Sequence, residues 1–432
     1  MGGARSIGRS GVEIICKSPI ILDFGVDLGA SSKLLPSEPR SDPEALILTH
    51  AHLDHYGAIP YLLRRCNCDT YVTPPTVDVG EILLKDFISL SSEHAERPYS
   101  TQDIQLIRRR ERSVRLNDYL TLDGWELRTF NAGHVLGSIM IHLTAEDGPS
   151  ILYTGDINTA GTRTLRGAET ELPKVDYLII EGTYGGDEDI HPSRKKVERQ
   201  FIEDIRNVIA SGGVTIIPTF ALGRAQEVLL TLISHMESGV LQEVPIFVDG
   251  MIREISKYYN AYWSWLRPEL QRMIRESKRG LFDHRAIEEV RNREELLEIG
   301  EPFIIVTTSG MLQGGPVLTY LKHFGTKRGN LIYLTGYQVK GTRGRMLLDG
   351  IRQIPMQDGI IEVKCDVKFA DFSAHADQPN LINFIMKVAS KGLKEVILVH
   401  GELDKLTQLR RKLEARRIRA YIPYEGEVLR IK

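Results

Sequence analysis

The chain has 432 residues, 42% of them hydrophobic and 26% charged, with a formal net charge of -2; that is more than one ordinary core absorbs, and it gives no global basic footprint for a polyanion. No apolar run approaches bilayer length and the first residues, MGGARSIGRSGVEII, contain no apolar signal core, which excludes membrane insertion and points to a cytoplasmic address. Four cysteines, Cys16, Cys66, Cys68 and Cys365, are too sparse for a disulfide scaffold and are expected to be reduced; Cys66 and Cys68 lack the second pair that makes a zinc site recognisable.

In chain order, short β-like runs bounded by turns dominate the first third: VEIIC, PIILDFG, ALILTH, TYVTP, WELRTFNAG, IMIHLTA and SILYTGD. Between them TVDVGEILLKDFISLSSEH repeats apolar residues three and four apart, as a helix does. From Val175 onward strand and helix patterns alternate: YLIIEG, VERQFIEDIRNVIASGG, VTIIPTF, RAQEVLLTLISHMESG and PIFVDG. Such alternation predicts a parallel α/β architecture. Residues 258–300 read as helical and charge-rich, PFIIVTTSGM and NLIYLTGY resume the strands, and EVILVHGE with RAYIPYEGEVLRI closes with strands. No internal repeat, low-complexity tract or long linker is visible.

The chemistry concentrates after the run Ala45–Leu48, in THAHLDH. If the chain stays extended, His50, His52 and Asp54 fall on one side and His55 turns in where it bends. Imidazole and carboxylate bind zinc best on rigid backbone, and four ligands from one turn suit two ions better than one. Further candidates share one signature, a titratable residue at a strand end followed by a small or turn residue: Asp23, His134, Asp156, Glu181, His375 and His400. His94, His142, His191, His235, His284 and His323 lie in helical or alternating contexts and are read as structural or surface residues. The basic runs IRRRERSVR, SRKKVERQ and EARRIRA interleave glutamates at helical spacing and are read as solvated helix faces.

Asp23, THAHLDH, His134 and Asp156, in that order, resemble the metallo-β-lactamase fold, an αββα sandwich with its active site at the strand ends. Glu181, His375 and His400 resemble motifs A, B and C of the β-CASP nucleases. PTFALGRAQEVLLTL, TTSGML and GYQVKGTRGRML are similar to cap-domain segments of the mRNA 3′-end cleavage endonuclease (cleavage and polyadenylation specificity factor) branch. The resemblance implies an α/β chain divided into residues 1–185, the first part of the metallo-β-lactamase domain, 186–359, an inserted β-CASP cap with a parallel sheet, and 360–432, the remainder of the first domain.

Carried over residue by residue, it implies two zinc ions: one on His50, His52 and His134, the other on Asp54, His55 and His400, with Asp156 bridging. Asp23 orients a ligand histidine, and Asp54, Asp23, Glu181 and His375 form the catalytic set, with His375 as general acid held by Glu181. The histidine at motif C favours RNA, and Arg224, Ser309, Gly310, Lys340, Arg343 and Ser373 are implied contacts to a single strand. Phosphodiester hydrolysis, internal or 5′→3′, would then give 5′-phosphate and 3′-hydroxyl ends. FSAHAD is closer to the processing endonucleases than to the ribonuclease J group, which leans toward internal cleavage.

The expected form is compact, archaeal or bacterial, without KH domains or a long C-terminal domain, and admits a homodimer or partners in an RNA-processing complex. Two rivals are weighed against this. A small-molecule metallo-hydrolase such as a thioesterase needs neither a cap of this length nor His375. A non-catalytic RNA-binding scaffold would show broken ligand positions, and here all are filled.

Overall fold

The computed structural model describes residues 1–27, 33–90, 98–300 and 302–431. The chain divides into two compact units, residues 1–190 with 374–432, and residues 191–373.

The first unit contains two sheets. One has five strands in chain order, Val12–Ile14, Ile20–Leu22, Ala45–Ile47, Asp69–Val72 and Glu111–Ser113, antiparallel at the first pair and parallel thereafter. The other has seven, ordered Ala420–Tyr421, Glu395–Val399, Tyr177–Glu181, Ser150–Tyr153, Ile139–Ala145, Trp125–Asn131 and Tyr119–Leu122. Its last four strands form an antiparallel meander and its first four run parallel.

Ile20, Leu22 and Ile47 from the first sheet meet Leu127, Ile141, Ile151, Ile179 and Ile397 from the second in one buried cluster, so the sheets pack face to face. Strands such as Ile20–Leu22 and Tyr177–Glu181 are buried at every residue because helices cover the outer faces too. Helix Pro74–Leu90 opens on two prolines, which suit an N-terminus that has no intrahelical N–H partner to lose. It turns Val77, Leu84 and Ile88 onto the outer face of the five-stranded sheet with Leu46 and Leu48. On the opposite side, helix Gln378–Ala389 is capped by the Asp377 carboxylate, which accepts from Asn380 N at 3.0 Å. Leu381, Ile385 and Val388, four and three residues apart, meet Leu178, Ile180 and Leu398. The layers are therefore helix, sheet, sheet, helix.

The second unit carries a six-stranded parallel sheet ordered Ile287–Glu289, Ile246–Asp249, Ile304–Thr307, Thr215–Pro218, Leu331–Leu334 and Asp366–Phe369. Helices such as Arg194–Ala210 and Arg224–Glu237 occur where their periodicity predicts them.

Three departures from the sequence reading have physical causes. Within 258–300 the helices Ile252–Ala261 and Pro268–Ser277 give way to strand Ile287–Glu289, whose Glu288 and Glu289 are exposed because an edge strand needs only one neighbour. The C-terminal run yields only Ala420–Tyr421 as strand; Leu429 and Ile431 instead pack, outside any strand, against the inter-sheet core. The last part of TVDVGEILLKDFISLSSEH, with His94, lies outside the described residues. All four cysteines are free, and among the described residues no helix is long and apolar enough to cross a membrane.

Candidate metal centre and active site

The strand Ala45–Ile47 continues in extended form, with Leu48 N donating to Tyr71 O, and then turns into the short helix Leu53–Tyr56 at His52. His50 and His52 thus leave the extended stretch, and Asp54 and His55 leave the first helical turn. Two glycines let neighbouring backbone close in. A Cβ on Gly25 would lie 1.7 Å from Asp54 O, and one on Gly155, at φ +52°, would lie 2.6 Å from Thr49 Oγ1. Gly155 places Asp156 just past the end of strand Ser150–Tyr153, and His134 and His400 likewise follow strands of the same sheet.

Candidate ligand atoms gather in three overlapping groups, each within 4.8 Å: His50, His52, His134 and Asp156; His50, Asp54 and His55; and His55, Asp156 and His400. Asp156 lies between them, with Oδ2 3.5 Å from both His50 Nε2 and His134 Nε2, and Oδ1 3.2 Å from His55 Nε2 and 3.7 Å from His400 Nε2. Asp54 Oδ2 is 3.6 Å from His400 Nε2.

The outer nitrogens of the rings assign the tautomers. His134 Nδ1–H donates to Ala374 O at 2.8 Å and His55 Nδ1–H to Asp23 Oδ2 at 2.8 Å. Thr49 Oγ1 donates to Asp23 Oδ2 at 2.7 Å and so accepts from His50 Nδ1–H at 3.0 Å. Each of these rings therefore engages its outer partner through Nδ1 and turns Nε2, the atom a metal would take, inward.

Burial sets the protonation states. It pushes His52 down to about 3, with His50 adding to the effect, and pulls His134 and His400 below the ordinary histidine value. For Asp156 and Asp54 burial works the other way, but His55 and His400 outweigh it and keep both carboxyls below their usual range. His55 is pushed up because Asp156 and Asp23 overcome its burial. Neutral His52, His134 and His400 beside ionised Asp156 and Asp54 match a divalent cation, for which His55 would give up its second proton. His50 Nε2 and Asp156 Oδ1, both buried and without a hydrogen-bond partner among the described residues, satisfy the same test, since such atoms otherwise cost the full desolvation penalty.

Beside this cluster His375 Nδ1–H donates to Glu181 Oε1 at 2.9 Å, and the His375 ring centroid is 4.5 Å from that of His134. Glu181, buried, also accepts from Ile157 N at 2.8 Å. Asp156, Glu181 and His375 form a fourth group of close ligand-type atoms.

Asp23 stands behind the cluster: it accepts from Thr49 N at 2.8 Å, Thr49 Oγ1, His55 Nδ1 and Tyr153 Oη at 3.0 Å. Thr49 and Tyr153 escape a search for ligand types. Thr49 could have been flagged by its place beside His50, whereas a tyrosine inside a strand has the signature of core.

The implied RNA contacts lie in the second unit. Arg224 opens helix Arg224–Glu237, Ser309 and Gly310 follow strand Ile304–Thr307, and Lys340 and Arg343 follow strand Leu331–Leu334. The loops meet locally: Gln338 Nε2 donates to Gly310 O at 3.1 Å, and a Cβ on Gly336 would sit 3.5 Å from Arg224 Nε. Arg343 donates to Pro355 O at 2.7 Å and Leu312 O at 3.0 Å, a structural use of its guanidinium. Lys340 is exposed, and Ser373 N donates to Asp371 Oδ1 at 3.0 Å. Of the basic runs, Arg108 pairs with Asp78, Glu81 and Glu111, in keeping with a solvated helix face, whereas Arg194 bonds the buried carboxylates of Glu198 and Glu227, so that part of SRKKVERQ faces the interior rather than solvent.

Two face-to-face sheets under helices, with a histidine and aspartate cluster at the strand ends, define a metallo-hydrolase of the metallo-β-lactamase fold, a class that binds divalent metal. Family comparisons match residues 12–208 to the metallo-beta-lactamase superfamily, 225–347 to the Beta-Casp domain and 360–423 to the Zn-dependent metallo-hydrolase RNA specificity domain. The chain is 39% identical to an RNase J-like protein of Methanocaldococcus jannaschii, over 100% of this chain and 98% of that one. It is 37% identical to transcription termination factor FttA of Pyrococcus horikoshii, over 95% of this chain and 68% of that one, and 33% identical to FttA of Methanothermobacter thermautotrophicus, over 100% and 71%. The chain belongs to the β-CASP family of metal-dependent ribonucleases.

Proposed function

We propose that this protein is a cytoplasmic two-zinc ribonuclease that hydrolyses phosphodiester bonds of single-stranded RNA, internally, from the 5′ end or both, leaving 5′-phosphate and 3′-hydroxyl ends. The observation that carries the reading is the Glu181–His375 pair beside the histidine and aspartate cluster, a proton source that a plain lactam or thioester hydrolase on this fold does not need. His50, His52 and His134 would hold one ion and Asp54, His55 and His400 the other, with Asp156 between. When bound, the pair supplies a hydroxide near neutral pH and relieves charge on the phosphoryl oxygens.

The protein's own groups do the rest. Glu181 accepts the Nδ1–H of His375, so that Nε2 would carry the proton given to the departing 3′ oxygen. Asp23 keeps the His55 ring turned inward, and Asp54 sits where it both contacts His400 and faces the same space. Arg224, Ser309, Gly310, Lys340 and Arg343, in the inserted cap, and Ser373, beyond it, would contact phosphates and so exclude substrates that lack a chain of them; for Arg343 that contact would fall to the backbone.

The test offers zinc-loaded protein RNA labelled at either end, with 5′-triphosphate or 5′-monophosphate, beside a thioester and a β-lactam. RNA is expected to be cut, and internal fragments insensitive to the 5′ group would mean endonuclease. Turnover of the small molecules alone overturns the reading. His375→Ala is expected to keep its two zinc ions and lose about 10²–10⁴-fold in rate.

A further inference from the structure

Of the four histidines that turn Nε2 toward Asp156, three anchor their outer nitrogen on Thr49, Asp23 and the Ala374 carbonyl. The fourth, His400, places Nδ1 2.6 Å from Ser10 Oγ. Ser10 comes from the N-terminal loop, 390 residues away in sequence, and is 3% exposed. Its hydroxyl is also 3.3 Å from His55 Nε2. One side chain thus touches two residues of the His55, Asp156 and His400 group.

The backbone around both partners is built to hold this contact. Ser10 N donates to Asp54 O at 2.8 Å, and Gly25 N donates to Ser10 O at 2.9 Å. His400 sits at φ +49°, a region costly for a residue with a Cβ, and its N–H donates to Gly3 O at 2.7 Å. The N-terminal loop therefore grips His400 by its backbone through Gly3 and by its ring through Ser10.

We propose that Ser10 is a positioning residue for the second metal: its hydroxyl accepts the Nδ1–H of His400 and thereby fixes the tautomer whose bare Nε2 faces Asp54 and Asp156. The inference rests on the two-zinc reading above. Without that acceptor the ring has equal reason to carry its proton on Nε2, beside the two carboxylates, where the proton occupies the cation's place. With a cation at Nε2 the ring proton is confined to Nδ1, and the hydroxyl 2.6 Å away supplies its acceptor.

The experiment titrates zinc-loaded full-length protein with a chelator and counts retained zinc by atomic emission, for the natural chain, Ser10→Ala and Ser10→Thr. The natural chain is expected to release its two ions in two steps. Ser10→Ala should keep the first and release the second at about 10–100-fold weaker affinity, the usual cost of losing a partner of a ligand histidine, while its melting temperature without metal stays near that of the natural chain. Ser10→Thr, which retains the hydroxyl, should recover at least part of the difference. Two ions held by Ser10→Ala as tightly as by the natural chain overturn the role of Ser10, and so does a Ser10→Thr protein that melts normally yet binds as weakly as alanine. A natural chain that holds fewer than two ions overturns the two-zinc reading itself.

Discussion

Asp23 touches no solvent, yet four donors converge on it: Thr49 N, Thr49 Oγ1, His55 Nδ1 and Tyr153 Oη. Removing such a carboxylate strands all four donors in the core. Asp23→Ala is therefore expected to lose about 3–5 kcal/mol of stability, read by chemical denaturation of the metal-free protein. Tyr153→Phe takes away one donor and leaves its acceptor with three; a loss of about 1.5–3 kcal/mol is expected for a bond to a charged group. The contrast also shows what the residues disclose in sequence. Asp23, His134, Asp156 and His400 stand out because a titratable side chain at a strand end has no business in a core. Thr49 and Ser10, which bond the rings of His50 and His400, and Tyr153, which bonds Asp23, are ordinary residue types whose partners lie up to 390 positions away, and only the fold brings them there.

At the scale of elements, the turn after strand Ile20–Leu22 and the helix Leu53–Tyr56 share one contact that admits no side chain. With Asp54 O 1.7 Å from the place of a Cβ, Gly25→Ala must displace the helix that carries Asp54 and His55. Loss of more than about 4 kcal/mol, or no soluble protein, is expected on expression and melting.

In the second unit, strand Ile246–Asp249 ends on a buried carboxylate. Burial disfavours the charge of Asp249, but Arg293, Tyr320 and the Gly250 N–H outweigh it and hold its pKa below the ordinary 3.8. A depressed carboxyl stabilises the fold fully above the unfolded value and loses that contribution as pH falls through the folded one. Asp249→Asn should therefore narrow the gap to the natural chain between pH 6 and pH 3 in denaturation curves; a gap constant with pH would count against the pairing. Buried strands and amphipathic helices were legible because their periodicity survives packing on one or two faces. Strand Ile287–Glu289 was not, since an edge with one neighbour tolerates the charges that mimic a solvated helix.

At the scale of the whole molecule, each unit has a core of its own, Leu178 and Leu398 with their neighbours in one and Ile216, Ile305 and Ile332 with theirs in the other. Residues 191–373 contain none of the close metal-ligand groups found among the described residues. Expressed alone, that segment is expected to melt cooperatively and to bind no stoichiometric zinc by calorimetry. Retention of an ion would place a ligand set where none is described.

The first unit is closed by chain that follows the insert. Strand Glu395–Val399 slots beside Tyr177–Glu181 in parallel register, and His375 and His400 arrive only then, after His50, His52, Asp54, His55, His134, Asp156 and Glu181 have long been made. On a translating ribosome the cluster therefore stays incomplete, lacking both His375 and His400, until synthesis has passed residue 400. A cutter of RNA assembled in this order has no finished centre beside the message that encodes it until that residue has been made.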